Sequence, residues 1–191
     1  MSINCGIRDN KIIIVKIAAL VILVAVIFNA VFWGYLAAYR VILPISIKWN
    51  EKTVDDNNLS IVLNNKEVNC EYNDVKIWKS DDGVKVSDML YCDIDGDDVN
   101  EIILLCWKKG KYGKHKPLWV ERDESLWSQH IYIYNYDLNK NAVVPKWMAS
   151  DIGFEVCEWE YTEDNMLMLV DSKTKEVSFW RWSGWGLYRI K

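Results

Sequence analysis

The sequence predicts a mostly β chain: one N-terminal membrane-spanning helix followed by one all-β domain. Three observations carry this expectation. Ile17 to Tyr39 contains no charged residue and is dominated by Ile, Val, Leu, Ala and Phe. From Leu59 onward, short β-branched and aromatic runs are divided by clusters of Asp, Asn and Gly, and helical periodicity is missing apart from a turn around Glu121–Trp127. Finally, Trp78-Lys79-Ser80-Asp81-Asp82-Gly83-Val84-Lys85-Val86 lines up with Trp147-Met148-Ala149-Ser150-Asp151-Ile152-Gly153-Phe154-Glu155-Val156, an internal repeat with a separation of about 70 residues.

In chain order, residues 1–11 read as a cytoplasmic tail, 12–40 as the transmembrane helix, 41–58 as a stalk and 59–191 as the β domain. The uncharged stretch from Ile17 to Tyr39, at about 1.5 Å per residue, spans the ~30 Å hydrocarbon core of a bilayer. Trp33, Tyr35 and Tyr39 gather at its distal end, where interfacial aromatics belong. A cleavable signal peptide would have a shorter apolar core, about 7–15 residues. Asn29 is the one strongly polar residue, placed either to bond across a helix pair or to be tolerated singly. Arg8, Lys11 and Lys16 precede the span, whereas Arg40 and Lys48 follow it. That bias puts the N-terminus in the cytoplasm of a single-pass protein and residues from about 45 onward outside the cell membrane.

Charge sorts by region. Residues 1–44 hold four basic residues against Asp9, a net of +3, which leaves 19 basic and 26 acidic residues, a net of −7, in the remainder. An acidic domain without a long basic face is a poor nucleic-acid binder, so no nucleic-acid partner is expected; it suits cations or a positively charged partner.

Within the β region, Leu59–Leu63 and Val68–Tyr72 flank the turn Asn64-Asn65-Lys66, and Val75–Trp78 follows. In both copies of the repeat a Trp closes one strand, a Ser-Asp turn with glycine follows, and a new strand starts. Phe179 to Leu187 reads as a third copy cut short. Two full units and fragments are too few for a closed propeller, which needs about four or more blades. Either the domain is compact, its edges covered by a long insert, or it completes itself against another chain, a homo-oligomer included.

The most informative stretch is Asp93-Ile94-Asp95-Gly96-Asp97-Asp98-Val99-Asn100-Glu101, with Met89–Cys92 before it and Ile102–Leu105 after it. Four carboxylates, Asp93, Asp95, Asp97 and Glu101, stand at relative positions 1, 3, 5 and 9, and the Val99 carbonyl adds a backbone ligand. Hard oxygen donors converging on one point suit Ca²⁺. An EF-hand fits poorly, because position 6 is Asp98 rather than glycine, position 12 is Leu104 rather than glutamate, and the flanks are strand-like. The plain alternative is a solvated acidic turn.

Asp93-x-Asp95-Gly96-Asp97-x-x-x-Glu101 with aliphatic residues directly after it resembles the calcium loop of FG-GAP and VCBS repeats, the blades of integrin-α-type β-propellers. The resemblance implies a β-propeller-like blade-repeat domain, too short for a complete propeller, with Ca²⁺ held by Asp93, Asp95, Asp97 and Glu101. Two departures stand out. Asp98 replaces the usual glycine and can still adopt a left-handed backbone at some cost, and the FG-GAP tetrad itself is absent. In the second copy, Thr162-Glu163-Asp164-Asn165 stands where this loop would be and is too short to hold a cation.

Between Cys106 and His130 lies an insert whose first half is basic with glycines and whose second half is mostly acidic. Lys108, Lys111, Lys114 and His115 offer cationic contacts to an anionic polymer, and Trp119 and Trp127 offer faces for sugar rings. The bland alternative is a solvated loop whose tryptophans cover a sheet edge. His130 reads as structural or ligand-facing. Ser128 two residues before it makes no catalytic pair by itself, and no glycine-flanked nucleophile appears. The cysteines lack C-x-x-C spacing, so zinc is unsupported; Cys70, Cys92, Cys106 and Cys157 allow three pairings, with Cys92 and Cys106 bracketing the acidic loop.

The expected function is a calcium-stabilised binding or adhesion module at the cell envelope, accessory to a surface polymer or a membrane-protein partner. A polysaccharide-active enzyme using Asp123, Glu124 and His130 is the rival class, and a structural subunit of a membrane complex is the third.

Overall fold

A computed structural model describes residues 4–112, 117–149 and 151–190, with side chains from residue 14 onward except Ala38. The chain divides into two units, Met1–Pro44 and Ile45–Lys191. The first contains helix α1, Asn4–Ala38. Its stretch Ile14–Ala37 is 24 residues long, carries its apolar side chains on the outside and is long and apolar enough to cross a membrane. Asn29 resolves its own polarity by donating from Nδ2 to Ala25 O at 2.9 Å within the helix, so the amide needs no second helix.

Among the described residues the second unit forms twelve strands: β1 Lys52–Asp56, β2 Leu59–Asn64, β3 Glu67–Tyr72, β4 Val75–Lys79, β5 Lys85–Cys92, β6 Glu101–Lys109, β7 Trp127–Asp137, β8 Ala142–Met148, β9 Val156–Tyr161, β10 Leu167–Asp171, β11 Val177–Trp182 and β12 Leu187–Arg189. They form three four-stranded antiparallel sheets, β1–β4, β5–β8 and β9–β12, each built from strands consecutive in sequence. Strand β1 lies inside the segment expected to be a stalk, so the domain starts earlier than residue 59. The expected helical turn at Glu121–Trp127 is absent: residues 121–126 are irregular and Trp127 opens β7.

The middle sheet explains the continuous apolar run at Ile102–Leu105. Ile102, Leu104 and Cys106 point into one core with Ile61, Leu63, Val68 and Met89, whereas Ile103 and Leu105 point into a second core with Ile94, Leu167 and Leu169. A strand buried on both faces loses the polar alternation of a half-exposed one. Each such Leu or Ile contributes about 1.5–3 kcal/mol through burial. On the far faces of the outer sheets the alternation returns, with Glu67, Asn69 and Glu71 on the first and Glu158, Glu160 and Arg181 on the third.

The internal repeat marks the two junctions between sheets: Trp78 sits in β4 just before β5, and Trp147 sits in β8 just before β9. The second junction is sutured by Gln129, whose amide accepts from Val156 N at 2.6 Å and donates to Val156 O at 3.2 Å. Phe179 to Leu187 is not a third junction. It is the β11–β12 hairpin that completes the third sheet, closed by Ser183 N donating to Gly186 O at 2.9 Å.

Cys70, Cys92, Cys106 and Cys157 are free. Cys106 stands opposite Val86 and Cys92 opposite Glu101, and the two thiols face different cores, so they cannot bond to each other. Burial pushes the Cys70 and Cys92 thiols up to about 12, well away from reactive thiolate.

Candidate cation site and binding insert

The acidic loop joins β5 to β6, and its apolar second residue explains its posture. Ile94 is 2% exposed and sits in the core between the second and third sheets, which pulls the loop down onto that seam. Tyr161 O–H, from β9, donates to the Asp93 carbonyl and ties the loop to the third sheet. Gly96 and Asp98 take positive φ, +77° and +66°, so Asp98 adopts the left-handed backbone that a glycine would take up at less cost.

The four carboxylates do different jobs. Asp93 folds the loop: its Oδ1 accepts from Gly96 N at 2.7 Å and Asp97 N at 3.1 Å, and its Oδ2 accepts from Asp98 N at 2.8 Å. Asp97 accepts from Val99 N at 2.9 Å and points to solvent. Val99 is exposed. Glu101 is fully buried, with Oε2 accepting from Ile94 N at 2.9 Å. Oxygens of Asp93, Asp95 and Glu101 lie within 4.8 Å of one another, the spread expected of ligands around one ion with bonds of about 2.4 Å. Asp97 stands outside that cluster.

The residue that the sequence did not point to is Lys146. Its Nζ lies 2.5 Å from Asp95 Oδ2 and 2.7 Å from Glu101 Oε1, and 5.4 Å from the centre of the Trp182 ring. Burial raises the Glu101 carboxyl above its ordinary value, against the pull of Lys146 and Ile94 N–H. Asp95 Oδ1 is buried without a hydrogen-bond partner. That orphaned oxygen, together with Asp93 and Glu101, fits a cation, and Lys146 supplies positive charge at the same place.

The insert joins β6 to β7 and is held at its base by Asp123. Its Oδ1 accepts from Lys111 N at 2.8 Å and Glu124 N at 2.9 Å, and its Oδ2 from Tyr112 N at 3.1 Å. Gly110 N donates to Leu126 O at 2.9 Å, and Lys111 Nζ bridges Glu124 at 3.2 Å and Asp151 at 3.8 Å. Beyond this base, a turn from Pro117 to Val120 leaves Leu118 100% and Trp119 84% exposed. Lys111 is thus consumed internally, Lys108 is half-buried at the end of β6, and Trp127 lies in β7 beneath the Lys109 ammonium at 5.7 Å. Among the described residues, Trp119 is the expected contact that stands free in solvent; Lys114 and His115 lie outside the described residues.

His130 is fully buried. Its Nδ1 faces Ala149 O at 3.2 Å, and its Nε2 lies 2.9 Å from Ser128 Oγ and 3.1 Å from Gly110 O. Burial lowers its pKa, which keeps the ring neutral and structural. Comparison with family models, with curated proteins and with solved structures finds no match for this chain.

Proposed function

We propose that this chain is a single-pass membrane protein whose extracytoplasmic β domain is a calcium-stabilised binding module, with the β6–β7 insert as its contact surface. The observation that carries this reading is the exposure of Leu118 and Trp119 beyond a base braced by Asp123. Large apolar side chains presented on a fixed support are what a binding loop offers. The apolar α1 supports anchoring, and the basic residues before it support a cytoplasmic N-terminus. Three consecutive four-stranded meanders, the second carrying the acidic loop between its first two strands, support the blade-like reading of the sheets. Asp93, Asp95 and Glu101 would hold Ca²⁺, which supplies charge neutralisation at the sheet seam. Asp123 and His130 are committed to backbone groups, and this favours binding over catalysis.

The partner of this reading is an anionic envelope polymer. Full-length protein in detergent should be retained on an immobilised carboxylated polysaccharide and elute as salt screens the contact. Trp119→Ala with Leu118→Ser should abolish retention while leaving the melting temperature within a degree or two. Equal retention of the variant, or none by the wild type, overturns the assignment.

A further inference from the structure

We infer that Lys146 is an intramolecular competitor for the cation of the Asp93–Glu101 loop, so that Ca²⁺ enters only by displacing it. The inference deepens the calcium reading and rests on it. Tyr132 pairs with Met148 and Ile133 with Trp147, but Tyr134 pairs with Pro145, which leaves Lys146 as the extra residue of a bulge in β8. Strand β8 is the edge of its sheet, where a proline without an N–H and a bulge are both tolerated. Bulges re-aim a side chain, and this one aims an ammonium at the loop beginning 53 residues earlier in the chain, counted from Asp93.

The ammonium reaches two of the three clustered carboxylates, at 2.5 Å and 2.7 Å, with its own side chain 14% exposed and Glu101 fully buried. A divalent ion held by the same oxygens would sit within about 3 Å of that nitrogen, and two positive centres at such a distance repel. Lysine offers three donors and no acceptor. It therefore neutralises the pair but leaves Asp95 Oδ1 without a partner, a deficit that a metal ion with six to eight oxygen ligands could fill. The Trp182 ring lies 5.4 Å from the ammonium in its paired position, so the lysine also gives up a cation–π contact if it swings away. A tethered competitor acts at a local concentration on the order of millimolar or higher. It weakens Ca²⁺ binding toward the ~10⁻⁴–10⁻³ M range of extracellular modules, and it keeps the loop folded when the ion is scarce.

The test is calorimetric titration of CaCl₂ into the full-length chain and its Lys146→Met variant. The variant should bind Ca²⁺ at least tenfold more tightly, melt lower than wild type in chelator and recover in Ca²⁺. In the unmodified chain, amine acetylation read by mass spectrometry should find Lys146 protected in chelator and labelled in millimolar Ca²⁺. That second arm decides the matter if the variant does not fold. Equal affinity of the two chains, or labelling indifferent to Ca²⁺, overturns the competitor while leaving the calcium reading intact. Uptake by neither chain overturns both.

Discussion

The acidic loop and the insert are each organised by one aspartate that accepts backbone N–H bonds, three of them described above for each, and they differ in how far that aspartate reaches. Asp93 serves residues three to five positions ahead of it. Asp123 serves its neighbour Glu124 and two residues 11 and 12 positions behind it. The first is a self-contained turn, and its geometry follows from local sequence. The second pins both ends of a long connection together, so its stabilisation includes the entropy of closing that connection. The carboxylate chemistry is the same in both; the chain separation decides what is lost when it goes.

The sharpest way to separate the two is through their glycines, and it carries the largest expected effect. Gly96 and Gly110 both have positive φ, +77° and +86°. A Cβ on Gly96 meets nothing within 4 Å, whereas one on Gly110 would lie 2.3 Å from Asp123 Oδ2 and 2.9 Å from Glu124 O. Gly96→Ala should cost about 1 kcal/mol from backbone strain alone. Gly110→Ala adds a clash that expels the Asp123 carboxylate, for a total of about 3 kcal/mol. Denaturant midpoints measure both, and equal costs would mean that Asp123 does not pack against Gly110 as described.

Next in size are the aspartates themselves. Asp93→Ala and Asp123→Ala should each cost about 2 kcal/mol, since bonds to a charged acceptor that remain partly hydrated return only part of their strength. Their consequences diverge in proteolysis. Asp123→Ala should expose residues 111–124 to cleavage without loosening the rest, whereas Asp93→Ala should leave the insert resistant. Cleavage of the insert in both variants at equal rates would show that its base is held by something other than Asp123.

The same contrast accounts for what the sequence revealed. The acidic loop was legible because its residues act on each other within nine positions, and the left-handed Asp98 follows from the local turn. The repeat was legible because two Trp-to-turn junctions recur between sheets. Lys146 was not legible, since its partners lie 45 and 51 residues away and its orientation comes from a bulge that composition does not signal. Asp123 read as an acid–base candidate because nothing local distinguishes a catalytic carboxylate from one that caps distant backbone amides. Strand β1 escaped notice because Lys52-Thr53-Val54-Asp55-Asp56 is polar at every position but Val54, which alone packs against the core.

The smallest expected effect concerns pH, and it lies within the acidic loop. Burial disfavours ionised Asp93, but N–H bonds from Asp98, Gly96 and Asp97 outweigh it and hold the carboxyl below its ordinary value. Above the unfolded value of about 3.9 both states are ionised, and the contribution of Asp93 to stability is complete. As pH falls below that value the unfolded chain takes up the proton first, so stability drops until the folded carboxyl is protonated as well. Glu101 works in the opposite sense. Burial raises its folded pKa, so between about 4.3 and that raised value the folded chain holds a proton that the unfolded chain has released, and stability falls as pH rises. The two slopes occupy different windows, Asp93 below about pH 4 and Glu101 above it. Denaturant midpoints of the full-length chain between pH 3 and 7 should therefore show an acid limb that is shallower in Asp93→Asn than in wild type, with the limb above pH 4 unchanged. Parallel acid limbs would mean that the three amide bonds to Asp93 form equally well to a protonated carboxyl, and that the loop is shaped by Ile94 and Glu101 instead.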